Sequence, residues 1–460
     1  MNASVTIVAF GWVFVALALF IILPKRRAVL MSMIGGWLFL PIATFQLPLI
    51  PDYDKFTAVC GTTFIAAAVT DGGRILSIRP RWYDFAIIVW VIVPFASSIS
   101  NNLGPYDGLS AALTHLIRFG LPYWLGRVYF NDREGVRELL IGLIIGGMVY
   151  APLCLIEIRL SPNLHYWVYG YHQIKSHVTK RLGGYRPVVF LSHGIELGLF
   201  MANAALAAWW LWRTRLIRQI LGIPIGIIAV GLIVTTILCK SLNAYFIGTV
   251  CVATLLVMKH LRLRMALLAL ALVPIGFVAL RAGTGWEAKE FVEFVSSEVD
   301  PERGTSMESR IANEQRMLGH DWKRPIFGWG GWGRNRPDDE LADQGEKAIT
   351  DSWWIIAFGS NGLVGLISLG ATLILPALLV FGRSRGLRMD SPEIAASVGL
   401  AVIVLGFSLD CLANAMINPF YFMAVGSLCG LIQPVSGLPY VRAERVERTR
   451  GTAHATRGAA

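Results

Sequence analysis

Charge is missing from this chain in blocks. Between Glu138 and Glu157 every residue is uncharged and most are apolar, and similar runs recur along the whole sequence. About 20 such residues cross a bilayer as a helix. In lipid only helices or closed barrels satisfy their own backbone hydrogen bonds. The period-two alternation of a barrel strand is missing, so the sequence predicts an all-α polytopic membrane protein. With 55% of 460 residues hydrophobic and 15% charged, a soluble fold could not hide the apolar surface.

Spans are expected to begin near Val5, Ala28, Phe56, Asp84, Leu109, Gly135, Leu191, Ile220, Ala244, Met265, Leu363, Ile394 and Pro419. That is about 13 (12–14) by the span-length rule. The run from Phe56 is the shortest, because Asp71 and Arg74 close it early. The first run has no basic lead-in and no small-residue cleavage site before Pro24, so it reads as a span and not as a cleaved signal.

The net charge of +11 follows the same periodicity. Basic residues fall in every second short loop: Lys25–Arg27, Arg74–Arg81, Arg127–Arg137, Arg213–Arg218, Lys259–Arg264, Arg383–Arg388 and the tail from Arg442. The loops between them, such as Pro51–Asp54 and Asn101–Gly104, are nearly free of positive charge. This alternation is the positive-inside rule, with the N-terminus outside and the tail in the cytoplasm. A nucleic-acid partner is therefore not implied by the high pI. The expected organisation is N-terminal transmembrane helices (1–158), a first long outer loop (159–190) and central transmembrane helices (191–281). A large outer loop (282–351), C-terminal transmembrane helices (352–436) and a cytoplasmic tail (437–460) follow. All six cysteines fall within or at the ends of apolar runs at no metal-site spacing, so they read as packing residues.

Long ordered loops are usually functional, and both long loops fall on the outer side. The first gathers Lys175, Lys180, Arg181 and Arg186 with no acidic counterpart after Glu157. Beside a headgroup plane such a cluster suits a phosphate or diphosphate, or it only touches anionic membrane lipid. Gly183-Gly184 and Pro187 give Arg186 a shaped turn. In the second loop, Thr305 and Glu308 form a capping-box pair. Met307, Ile311, Leu318 and Trp322 then recur on one helical face, predicting a surface amphipathic helix that displays Arg310, Glu314 and His320. Arg310 and Glu314 would make an ordinary i,i+4 pair.

The stretch "KRPIFGWGGWGRNR" follows. Gly328, Gly330, Gly331 and Gly333 suit tight turning at the surface, and Trp329 and Trp332 suit an interfacial belt or stacking on sugar rings. Asp338-Asp339-Glu340 reads as a solvated face. Asp52 and Asp54 form an acidic pair in the first outer loop, although two carboxylates alone make a poor cation cage. Arg118 and Lys240 lie within or at the ends of spans, where charge is costly and usually functional. Arg118 either holds a carboxylate, lines a diphosphate groove or snorkels to the cytoplasm. His193 either contacts substrate or packs at a helix start.

"SRIANEQRMLGHDWKRPIFGWGGWG", then "DSWWIIAFGSNGLVGLISL", resemble two segments of one bacterial family. The first is an arginine, a helix and Pro-apolar-Phe-Gly-aromatic-Gly; the second is a polar pair before a helix ending in Gly-Leu-apolar-Gly. Together they resemble the O-antigen ligase and Wzy-type polysaccharide polymerase superfamily of inner-membrane glycosyltransferases. "KSLNA" at Lys240–Ala244 is similar to a degraded Ser-Arg-Gly-Ala of that family. The ligases carry His-Asn where this chain has Asp351-Ser352. That departure tilts the resemblance toward polymerases.

The resemblance implies a reaction at the periplasmic face of the bacterial inner membrane. The donor would be a glycan on undecaprenyl diphosphate, and the acceptor a sugar on a second lipid-linked unit or on lipid A core. Other polysaccharide assembly proteins would be further partners; no metal, cofactor or nucleotide is called for. Arg186 and Arg310 would hold the departing diphosphate, assisted by Lys180, Arg181, Arg118 and Lys240. Asp351 would be the base for the acceptor hydroxyl, or else a cap on the following helix. Trp329 and Trp332 would line the substrate. The reading from another class is a flippase for lipid-linked oligosaccharides, which would have short loops and charged helix interiors.

Overall fold

The computed structural model describes residues 3–47, 51–175, 179–181, 183–286, 293, 296–297, 301–331, 333–337 and 351–431, without the side chains of 181 and 301–307. Trp332, the Asp338 acidic run, Thr350 and the tail lie outside the described residues. Among the described residues, sixteen helices of at least six residues carry the fold, and three two-stranded hairpins decorate it.

In chain order the helices are α1 (Ala3–Ile22), α2 (Lys25–Leu30), α3 (Thr62–Ser77), α4 (Phe85–Ser100), α5 (Pro105–His115) and α6 (Leu121–Tyr129). Next come α7 (Arg133–Leu160), α8 (Leu164–Tyr169), α9 (Gly194–Arg213), α10 (Ile225–Leu238), α11 (Leu242–His260) and α12 (Met265–Thr284). The last are α13 (Pro301–Asp321), α14 (Trp353–Arg383), α15 (Ala395–Asp410) and α16 (Pro419–Gly430). Among the described residues, seven helices are long and apolar enough to cross a membrane: α1, α4 with its lead-in turn, α7, α9, α11, α12 and α14. The chain is a helical membrane protein.

The other expected spans are shorter or composite. Helices α10, α15 and α16 have 14, 16 and 12 residues; at 1.5 Å per residue the first rises only about 21 Å. Helices α2, α3 and α5 run into or out of π turns at Met31–Gly35, Thr57–Gly61 and Leu116–Gly120, which is how a long helix absorbs an extra residue. Asp71, expected to close the third run, marks a kink in α3 at φ −151°, ψ 36°.

The centre is α9, with 89% of its apolar 18-residue stretch buried, against 22% for that of α1. Around it α15 and α16 are buried along almost their whole length. Close helix contact needs small residues: a Cβ on Gly426 would lie 1.9 Å from the Tyr123 carbonyl of α6, and one on Gly126 2.0 Å from that of Met423.

Contacts between helix ends sort into two faces. On the basic face Arg26 meets Asp132, the buried Arg127 Nε meets Asp84 at 2.9 Å, and Arg383 donates to the Leu431 carbonyl. On the loop face Tyr169 and Tyr171 donate to the carbonyls of Phe39 and Ile42, both at 2.7 Å. Asn101 there donates to the Gly328 carbonyl at 2.9 Å.

The first long loop folds back into the protein. Glu157, at the top of α7, accepts the backbone N–H groups of Leu164, Val188 and Val189 at 3.1, 2.8 and 2.8 Å. One carboxylate thus satisfies three amides that a buried loop would otherwise leave unpaired. Lys55 donates to the Phe190 carbonyl at 2.9 Å, and Glu196 at the start of α9 accepts from Trp37 at 2.9 Å.

Candidate active site on the loop face

Helix α14 is broken, and the break builds the site. Gly362 sits at φ 65°, ψ −166°, so the helix divides into a short upper half from Trp353 and a long lower half. The span expected to start near Leu363 is the lower half alone. A break frees carbonyls above it and amides below it, and inside a membrane protein these must be satisfied. The glycine-tryptophan stretch does so. Trp329 N donates to Gly359 O at 2.8 Å and Gly330 N to Ser360 O at 3.0 Å, while Leu363 N donates to Pro325 O at 2.7 Å. Gly328, at φ 70°, passes so close that a Cβ there would lie 2.6 Å from the Gly359 oxygen. The Pro-Ile-Phe-Gly-Trp-Gly and Gly-Leu-Val-Gly segments are therefore two sides of one backbone clasp.

Trp329 is part of that clasp. Its Nε1 donates to His320 O at 3.2 Å, His320 stacks on its ring at 4.3 Å, and the Arg324 guanidinium lies 4.6 Å over it. The ring is used internally, so it is not presented as a platform for sugar.

Helix α13 begins at Pro301, before Thr305, so the expected capping box at Thr305 and Glu308 falls inside the helix. Its buried face is Glu314, Met317, Leu318 and Asp321, whereas Trp322 is 45% exposed. The expected display of Glu314 and its pairing with Arg310 are both overturned. Arg281, near the end of α12, reaches Glu314 at 3.1 Å, and both are buried. Ser352 donates its hydroxyl to the same carboxylate. Burial pushes the Glu314 carboxyl up, and the Ser352 hydroxyl and Arg281 oppose that. A guanidinium from the neighbouring span makes burial of Glu314 affordable.

With Glu314 occupied, Arg310 turns to Asp351. Its Nη2 lies 3.0 Å from Asp351 Oδ2, with both side chains close to half exposed, and its Nη1 donates to Ala413 O at 3.3 Å. Asp351 does not cap α14: the N-cap position is Ser352, with no side-chain capping bond.

Arg186 sits deeper than expected, only 7% exposed. Its Nη2 donates to Ser241 Oγ at 3.2 Å, and its aliphatic part lies against Gly194. Lys180 pairs with Tyr185 and Arg181 with Gly184 in a hairpin, with the Lys180 side chain exposed. Lys240, left-handed at φ 52°, brings its ammonium against Gly184. Asn243 then donates to Asp410 at 2.6 Å, and Asn414 to the same carboxylate oxygen at 2.7 Å. A run of contacts through Ser241, Asn243, Asp410 and Asn414 thus leads from Arg186 to the connection that receives Arg310.

Arg118 points to the loop face. It binds Asp54 at 2.7 Å and lies 4.9 Å over the Phe56 ring, which removes the snorkelling alternative. Asp54 also accepts from Thr57 N at 2.9 Å, so it is spent on protein partners. Among the described residues no group of three or more metal-ligating side chains converges. His193 accepts from Ile195 N at 3.1 Å and caps α9.

The sequence reading missed Arg281, Glu157 and the Asn243–Asp410 contact. The signal for Arg281 and Glu157 was available, because each is a charge at the end of an apolar run. Comparison with protein-family models and with curated proteins gives no match.

Proposed function

We propose that this chain is a glycosyltransferase of the Wzy-type polymerase kind, working on undecaprenyl-diphosphate-linked glycan at the periplasmic face of a bacterial inner membrane. In this reading the chain crosses about thirteen times, and the loop face is periplasmic. Transfer to lipid A core, as by an O-antigen ligase, is the same chemistry with another acceptor. The observation that carries the proposal is the Arg310–Asp351 pair. It joins the two sequence segments that resemble the superfamily, at an exposed point above a broken helix.

The chemistry follows from the pair. The acceptor hydroxyl oxygen bonds to the anomeric carbon of the donor. The bond from that carbon to the diphosphate oxygen breaks, and its electron pair leaves on the lipid diphosphate. The hydroxyl proton passes to Asp351 and then to water. A diphosphate competes for Arg310 with its own bidentate geometry, so donor binding releases Asp351 to accept the proton. Arg186, enclosed against Ser241, holds the hairpin that carries Lys180 and Arg181.

A broken membrane helix also suits a flippase. Here, however, the Gly359 and Ser360 carbonyls and the Leu363 amide are already taken by Pro325–Gly330. Deleting the gene and identifying the accumulated glycan separates the readings. A polymerase loss leaves single lipid-linked repeat units on the outer face of the membrane, and a flippase loss leaves them inside. Full-length polymer from an Arg310→Ala strain at normal protein level overturns the proposal.

A further inference from the structure

A cavity of about 730 Å³ opens on the loop face, walled by the Asp52–Asp54 loop, the start of α5 and the upper half of α14. That is within the range of small-molecule sites, roughly 300–1,000 Å³. Trp90, Phe119 and Trp353 back it, at most 4% exposed and packed on one another. Asp107 accepts from Ser98 at 2.7 Å and lies 3.6 Å from Arg334, and Asp54 is held by Arg118. Asp52 lines the cavity too, and its carboxylate makes no hydrogen bond or ion pair among the described residues. Tyr106, also in the lining, is 62% exposed.

These groups select a class of ligand. Three carboxylates against two guanidiniums give the wall an excess of negative charge, and each guanidinium already has a carboxylate partner. Such a wall repels a diphosphate. A neutral pyranose fits it: its hydroxyls can donate to carboxylates and accept from guanidiniums, and its apolar ring face can lie on an aromatic side chain. We infer that this cavity binds a neutral pyranose, the terminal sugar of the acceptor glycan. The assignment to the acceptor rests on the transferase reading and on Trp353, a wall residue two positions beyond Asp351. The binding itself does not depend on that reading.

The test uses the full chain in lipid nanodiscs and saturation-transfer NMR with the methyl pyranosides of glucose, galactose, mannose, rhamnose and N-acetylglucosamine. At least one should bind, and Asp52→Ala and Tyr106→Ala should each weaken it roughly tenfold, as for loss of one charge-assisted hydrogen bond or one stacking face. Inorganic pyrophosphate should not displace it. The inference is overturned if none of the five binds, if both variants bind as the parent does, or if pyrophosphate competes. Because no transfer is measured, failure here leaves the Arg310 test standing. Conversely, glycoside binding alongside normal polymer from Arg310→Ala sinks the transferase and keeps the cavity.

Discussion

Arg310 and Asp351 face each other at 3.0 Å across the gap between the surface helix α13 and the start of α14. Both side chains are close to half exposed, so water screens the pair. Exposed ion pairs contribute about 0–1 kcal/mol. Removing either partner should therefore change thermal stability little while abolishing polymer. Arg310→Lys should fall well short of wild type, because an ammonium keeps the charge and loses the fork. Asp351→Asn should insert normally and be inactive. Glycan length on gels, read beside protein level and melting temperature, checks this. A fall in melting temperature parallel to the loss of polymer would mean a structural role instead.

The neighbouring pair behaves in the opposite way. Arg281 and Glu314 are buried, and Ser352 shares the carboxylate. Breaking a buried pair from one side leaves a charge without its partner and costs about 3–5 kcal/mol. Arg281→Met or Glu314→Leu alone should lower the melting temperature sharply, and the double variant should recover much of it. If the double variant is no better than the worse single one, the charges are not compensating each other.

How much of this was legible depended on the length scale of the signal. Helix runs and basic-loop alternation are repeated many times along the chain, so the membrane class could be read directly. Pairings that join distant segments carry no local mark. Arg310 and Glu314 have the spacing of a surface pair, and only the arrival of Arg281 from α12 draws Glu314 inward and frees Arg310 for Asp351. For Trp329 the sequence pointed to an interfacial belt or sugar stacking; the break at Gly362 turned it to packing instead, because its freed backbone groups needed partners.

The clasp predicts a strict demand at Gly362. Its φ is 65°, and a Cβ there would lie 2.2 Å from Ile326 O and 2.5 Å from Phe327 N. Left-handed backbone at a non-glycine residue costs about 1–3 kcal/mol before any collision is counted. Gly362→Ala should detach the glycine-tryptophan loop from α14. Limited proteolysis of the full chain in nanodiscs should then cut between Lys323 and Arg336, where the parent resists. Gly370→Ala, in the same helix with open space around its Cβ position, is the control and should leave cleavage unchanged.

Asp321 gives this clasp a pH dependence. It closes α13, is fully buried, and neither carboxylate oxygen has a hydrogen-bond partner among the described residues. It packs on Gly359 beside Asn335, and burial alone pushes its carboxyl up to about 8. The unfolded chain releases that proton near pH 4. The folded state therefore holds the proton more tightly, so this group favours folding most at low pH. Its contribution falls as pH rises from about 4 to about 8 and then stays level. Asp321→Asn keeps the shape without the titration, so it should melt higher than the parent at pH 8 and differ little near pH 4. All six cysteines are buried, so a thiol-reactive dye can follow unfolding. Comparing parent and variant at each pH removes the other titrating groups they share. A difference in melting temperature that is constant across this range would show that Asp321 is not held protonated by burial.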